Sequence, residues 1–135
     1  MVPRMIRCPE CPRSGGRNGV RLFDIQGGAC HWCGRQMYRD RDCLGGSQAI
    51  WYRSIEHLRP RNDPEYRQAK VAAHLLCNAV RNMVSHRRFV EFVNSARFSD
   101  LYAHTFGTAK WTMRTRAVRH MVRQLARAEK RKQTG

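Results

Sequence analysis

Two ligand pairs of x2 spacing bracket an acid-histidine dipeptide in this chain. Cys30-His-Trp-Cys33 comes first, then Glu56-His57, then His74-Leu-Leu-Cys77-Asn78. Zinc takes four nitrogen or sulfur ligands in a tetrahedron, and an x2 spacing puts two such ligands on one side of an ion. Cys30 and Cys33 form one half of such a clip, from a turn of the knuckle kind. His74 and Cys77 form the other, from the first turn of a helix. The metal would tie these two segments together across the 40 residues that separate Cys33 from His74. Inside the clip lie a carboxylate, Glu56, and an imidazole, His57. Asn78 follows the last ligand. Cleavage of a phosphodiester asks for a base that titrates near neutrality, which is a histidine. It also asks for a cation to neutralise charge on the phosphoryl and leaving oxygens. Oxygen donors such as Glu56 and an amide suit Mg²⁺ or Mn²⁺, whereas the Cys/His set suits zinc. Two metals with separate tasks are expected.

A third x2 pair, Cys8 and Cys11, stands near the N-terminus, and Cys43 is the one cysteine left over. A second zinc site built on these three lacks an identified fourth ligand, and a free Cys8/Cys11 pair fits equally well. His31, His86, His104 and His120 carry no ligand or catalytic pattern and read as surface or packing residues.

The elements that must position these groups follow from pattern. Residues 1–19 are rich in Pro, Gly, Arg and Cys and read as an irregular basic segment. Val20–Gln26 reads as a short helix stopped by Gly27-Gly28. Gln36–Arg39 reads as a short strand and Arg39–Ser47 as a polar loop. Ala49–Ile55 is aromatic and β-branched, the best strand candidate. Leu58–Arg67 contains Pro60 and Pro64 and reads as a loop. From Val71 the pattern turns helical, with one helix through Cys77, Val80 and Val84 and a second carried by Phe89, Val90, Phe92 and Val93. Trp111–Arg131 is the clearest helix, with Val118, Met121, Val122 and Leu125 on one face. Arg116, Arg119, Arg123, Arg127 and Lys130 fall on the opposite face.

The 135 residues suit one domain, and 41% hydrophobic content is enough for a modest core that a bound metal would help to hold. Lys and Arg number 26 against 10 Asp and Glu, a net charge of +16. That excess points to a polyanionic partner, most simply nucleic acid. No apolar run approaches the roughly 18 residues of a membrane-spanning helix, and the N-terminus has no apolar signal core. A cytoplasmic protein is expected, in which paired cysteines bind metal more often than they form disulfides.

The runs LFDIQGGACHWCG, SIEHLRP and AAHLLCNAVRN together resemble the HNH endonucleases of the ββα-metal type, over about residues 20–85. The resemblance implies an α+β fold, in which a two-stranded hairpin and a following helix hold the active site between them. A nuclease core over 20–86 would then carry a helical basic extension, 87–135. It also implies roles: His57 as general base, Glu56 as the acid that holds a divalent ion, and Asn78 as the last residue of the motif, facing that ion. Asn82 shares a helix face with Asn78 and is placed to assist. Arg53, Arg59 and Arg81 are the nearby phosphate-binding candidates, joined by the C-terminal Arg116, Arg119, Arg123 and Arg127. The expected substrate is DNA, double-stranded. The chain departs from the common pattern in having Glu56 for Asp and Asn78 for His. It has no match to the mid-motif Asn that orients the base, since Ala69 and Lys70 occupy that stretch. The competing expectation is a zinc-stabilised nucleic-acid-binding protein that keeps the fold without the activity.

Overall fold

The computed structural model describes residues 17–39, 48–59, 62–65, 69–108 and 110–134. Cys8, Cys11 and Cys43, and with them the second metal site, lie outside the described residues, as do 1–16 of the N-terminal segment and 40–47 of the polar loop.

The chain is α+β. It runs α1 (Arg17–Ile25), β1 (Arg53–His57), β2 (Lys70–His74), α2 (Leu75–Arg81), α3 (His86–Val93), α4 (Ala96–Thr105) and α5 (Arg116–Thr134). α1 stops where two glycines adopt positive φ, 64° at Gly27 and 78° at Gly28. The Gly28 N–H then reaches back to the Phe23 carbonyl at 2.8 Å, closing the helix end in a way that side chains with a Cβ resist. A tight turn follows. The Gly34 N–H donates to the Cys30 carbonyl, and the Cys30 N–H donates to the Arg35 carbonyl at 2.8 Å.

β1 and β2 form a two-stranded antiparallel sheet in which Arg53 pairs with His74, Ile55 with Ala72 and His57 with Lys70. The outer side of β2 is also engaged. The Gln26 side chain donates to the Ala72 carbonyl at 2.8 Å and accepts from the Ala72 N–H at 2.7 Å.

Two expectations from sequence are corrected here. The strand expected at Ala49–Ile55 begins only at Arg53. Ala49, Ile50 and Trp51 instead form a fully buried turn. The segment from Val71 to His74 is strand, not helix. Its alanines favour a helix locally, but pairing with β1 and burial of Ala72 and Ala73 decide the outcome. Gln36–Arg39 contributes only single bridges, Ala29 to Gln36 and Tyr38 to Tyr52.

One core unites the hairpin with the C-terminal helices. Trp51 sits at its centre, edge-on to His74, Phe98 and Tyr102. Its indole N–H donates to the Thr105 hydroxyl at 2.8 Å, so the buried donor is satisfied. α3 and α4 are capped by Ser85 and Ser95, whose hydroxyls accept from the N–H groups of Arg88 and Phe98. α4 was not anticipated, although Phe98, Leu101, Tyr102 and Thr105 have the i, i+3, i+4, i+7 spacing of a buried face. α5 starts at Arg116, five residues after the expected Trp111. It buries Val118, Met121 and Val122 as its pattern requires.

Candidate metal centre and acid site

Four soft donors converge beside the hairpin. The ligand atoms of Cys30, Cys33, His74 and Cys77 all lie within 4.8 Å of one another. The Cys33 and Cys77 sulfurs stand 3.3 Å and 3.6 Å from His74 Nδ1. A tetrahedral zinc with ordinary bond lengths puts sulfur and nitrogen ligands about 3.6 Å apart. The donor set and its spacing therefore fit a single metal ion of that size. The ligands come from two elements. The turn after α1 supplies Cys30 and Cys33, and the β2–α2 junction supplies the other pair. His74 is the last residue of β2 rather than part of the helix, and Cys77 lies in the first turn of α2.

The surroundings fix which nitrogen of His74 faces the sulfurs. Nε2 lies 2.9 Å from the Gln36 carbonyl, which can only accept, so Nε2 carries the proton and Nδ1 is left as the ligand. The Tyr102 hydroxyl donates to the same carbonyl at 3.0 Å, linking α4 to the centre. The His74 backbone N–H points at the Cys30 sulfur at 3.3 Å and favours a thiolate there.

The ionisation pattern follows from these contacts. Cys30 is driven well below an ordinary thiol by hydrogen bonds from Cys33 first and Cys77 second, against its own burial. Cys77 is pushed up by its bonds to Cys30 and Cys33 and by burial. Burial is the largest influence on His74 and opposes its imidazolium. Contacts with the Cys30 and Cys33 sulfurs nevertheless raise it to about 9.

A second set of polar groups lies where α2 faces β1. Alternation puts Ser54 and Glu56 on one face of β1, and helical spacing puts Asn78 and Arg81 on one face of α2. The two faces meet. The Asn78 amide nitrogen donates to the Ser54 hydroxyl at 2.5 Å, and an Arg81 Nη1 stands 3.8 Å from Glu56 Oε2. Arg81 also lies over the Trp32 ring, 4.0 Å from its centre. Glu56 Oε2 and Asn78 Oδ1 are both buried with no hydrogen-bond partner. Buried oxygens are ordinarily satisfied. Two such oxygens on one β1–α2 contact are a donor pair of the hard type that suits Mg²⁺ or Mn²⁺.

The other expected residues are distributed as follows. His57 is the half-buried last residue of β1, and strand alternation sets it on the face opposite Glu56. Asn82 caps the C-terminus of α2, with its backbone N–H on the Asn78 carbonyl and its side chain exposed. Arg59 is exposed just past β1. Arg53 is a correction. It is only 4% exposed, and its Nε donates to the Arg39 carbonyl at 2.7 Å, so it braces the fold rather than presenting a cation to a phosphate. His31, His86, His104 and His120 are all exposed. Sequence reasoning missed Trp32, although its place between two knuckle cysteines was the available signal. It also missed the Gln36 carbonyl, which no side-chain pattern reveals.

Comparison with protein-family models, curated proteins and solved structures finds no match to this chain.

Proposed function

We propose that this chain is a metal-dependent endonuclease of the HNH kind, hydrolysing phosphodiester bonds of DNA. The observation that carries the reading is the pair of buried oxygens without a hydrogen bond, Glu56 Oε2 and Asn78 Oδ1, on the β1–α2 contact beside a four-ligand clip. The resemblance of SIEHLRP and AAHLLCNAVRN to the HNH motif supports it, as does the +16 charge.

In this reading Cys30, Cys33, His74 and Cys77 hold a structural zinc that locks the knuckle to the start of α2. Glu56 and Asn78 hold Mg²⁺ or Mn²⁺, and that ion supplies neutralisation of charge on the phosphoryl and leaving oxygens. The remaining work falls to this chain's own groups. Glu56 and His57 are adjacent yet set on opposite faces of the strand end. The scissile phosphate therefore lies across the end of β1, with the leaving oxygen towards Glu56. His57 stands on the other side, where it takes the proton of an attacking water in line with the bond that breaks. Arg59 and Arg81 flank this position and bind neighbouring phosphates.

The test is nicking of supercoiled plasmid by zinc-loaded protein with added Mg²⁺ or Mn²⁺. Wild type should nick, and His57→Ala should not, with zinc content unchanged. Equal rates for the two proteins would reject the assignment. No cleavage by wild type with either ion, together with intact DNA binding, would leave a zinc-stabilised binding protein as the function.

A further inference from the structure

We propose that the outward face of α5 is a grip for the phosphate backbone of duplex nucleic acid, separate from the acid site. Arg116, Arg119, Arg123 and Arg127 are all exposed. At 100° per residue they fall within an arc of about 80°, and they span about 17 Å of helix rise. His120 is exposed beside them. The opposite seam, Val118, Met121 and Val122, is buried in the core, so the orientation of the arginine face is fixed by packing.

Among the described residues none of the four arginines makes an ion pair or a side-chain hydrogen bond. Three of the described acids are paired elsewhere, Asp24 with Arg39, Glu56 with Arg81, and Glu91 with Arg87 and Arg88. The only acid in α5 is Glu129, beyond the stripe. Arg119, Arg123 and Arg127 follow one another at i, i+4, a spacing at which like charges destabilise a helix. A face that works against its own helix, with no acid paired to it among the described residues, calls for an external polyanion.

The chemistry of the face selects among polyanions. An anionic bilayer takes up a helix through its apolar side, and that side of α5 is already buried. Single strands are held on aromatic stacking platforms, and this arc has none apart from His120. A duplex offers about one phosphate charge per 1.7 Å of axis, so a row of arginines about 17 Å long meets several phosphates at once. Contacts of this kind position the duplex without reading its sequence.

The experiment uses the full zinc-loaded chain and measures binding to a fluorescent duplex by anisotropy across a salt series. Each neutralised phosphate contributes about −0.9 to the slope of log K against log salt. Replacing Arg116, Arg119, Arg123 and Arg127 together by Gln should make the slope shallower by about 3–4. Equivalently, it removes roughly 100-fold of the affinity that wild type loses between 50 and 200 mM salt. The loss should be equal on unrelated duplex sequences. The matching fourfold Arg→Lys variant keeps charge and should keep the slope, which separates a charge effect from misfolding. Should the Gln variant fail to fold, Arg119→Gln with Arg123→Gln should still lower the slope by about 2. An unchanged slope in a folded Gln variant overturns the proposal. So does tighter wild-type binding to single strands or to phosphatidylserine vesicles than to the duplex. His57→Ala should leave the slope unaltered, so this inference and the nuclease reading fail independently.

Discussion

Arg81 sits at the junction of the acid site and the knuckle, and replacing it by Gln gives a prediction whose sign discriminates. Its guanidinium is 3.8 Å from Glu56 Oε2, with side-chain exposures of 30% and 13% for the two partners. At an effective dielectric near 20 the bare attraction at this separation is about 4 kcal/mol. Desolvation and screening of a partly exposed pair leave a net of about 1–2 kcal/mol. The Trp32 ring under the guanidinium keeps the arginine in place and adds about 1 kcal/mol of its own. A divalent ion arriving at Glu56 must work against this cation. Arg81→Gln should therefore tighten Mn²⁺ binding by about 5–30-fold, the equivalent of 1–2 kcal/mol. The assay is Mn²⁺ titration followed by electron paramagnetic resonance on zinc-loaded protein, with Glu56→Gln as the control that should abolish binding. Duplex affinity should move the other way and weaken, because a phosphate-facing cation is lost. Weaker Mn²⁺ binding in Arg81→Gln would refute the reasoning and make Arg81 the group that aims Glu56. Unchanged binding would mean the ion does not meet this carboxylate.

Further outcomes are expected at the metal clip. Cys77→Ser should lose the bound zinc and with it the folded state, since a structural zinc of this kind contributes about 10–16 kcal/mol near neutral pH; a zinc-free variant with a wild-type circular dichroism spectrum and melting curve would contradict this. Zinc affinity should rise with pH, most steeply below about 9, where His74 still holds its proton in the metal-free protein. Below that value the metal must displace the His74 proton and that of the elevated Cys77 thiol, so competition with a chromophoric chelator at pH 6, 7 and 8 should show at least about a tenfold change per pH unit; a flat profile would count against the ligand set. Tyr102→Phe removes one of the two donors on the Gln36 carbonyl, and should lower zinc affinity by less than about tenfold and stability by about 1 kcal/mol, measured by the same competition and by urea unfolding.

The ligand set was legible because metal chemistry is local: an x2 spacing brings two donors together whatever the rest of the chain does. The one-sided apolar pattern of α5 was legible because it too is local, and the helix buries Val118, Met121 and Val122 as that periodicity selects, whereas α4 carries such a pattern and was missed. The boundaries around the hairpin were not. Lys70–His74 carries an alanine pair that reads as helix, and only its partner strand, at a distance in sequence, makes it β. Trp51 belongs to an apolar aromatic run that reads as strand, but its ring is the hub of the core and the backbone turns to place it there. Arg53 resembled a phosphate ligand because it is a cation near the motif. Its burial depends on the Arg39 carbonyl, contributed by a segment 14 residues earlier. The Glu56–Asn78 juxtaposition was anticipated only through the family resemblance. The structure adds that the Ser54 hydroxyl takes the Asn78 amide nitrogen and that the amide oxygen is buried without a hydrogen bond.

The Gln26 side chain has a bearing on how this protein behaves among its own copies. A two-stranded sheet ordinarily exposes two rows of unused backbone donors and acceptors, each a template for a neighbouring chain to extend. By engaging both the N–H and the carbonyl of Ala72, the Gln26 amide imitates one residue of a third strand and ends the ladder within the monomer. A leucine at that position would fill similar space but leave the Ala72 N–H without its partner, while the His31 N–H would still hold the Ala72 carbonyl at 3.1 Å. Self-association at high concentration, and the recovery of soluble material on expression, should therefore respond to the loss of one carboxamide at the end of α1, with the knuckle after it guarding the rest of the edge.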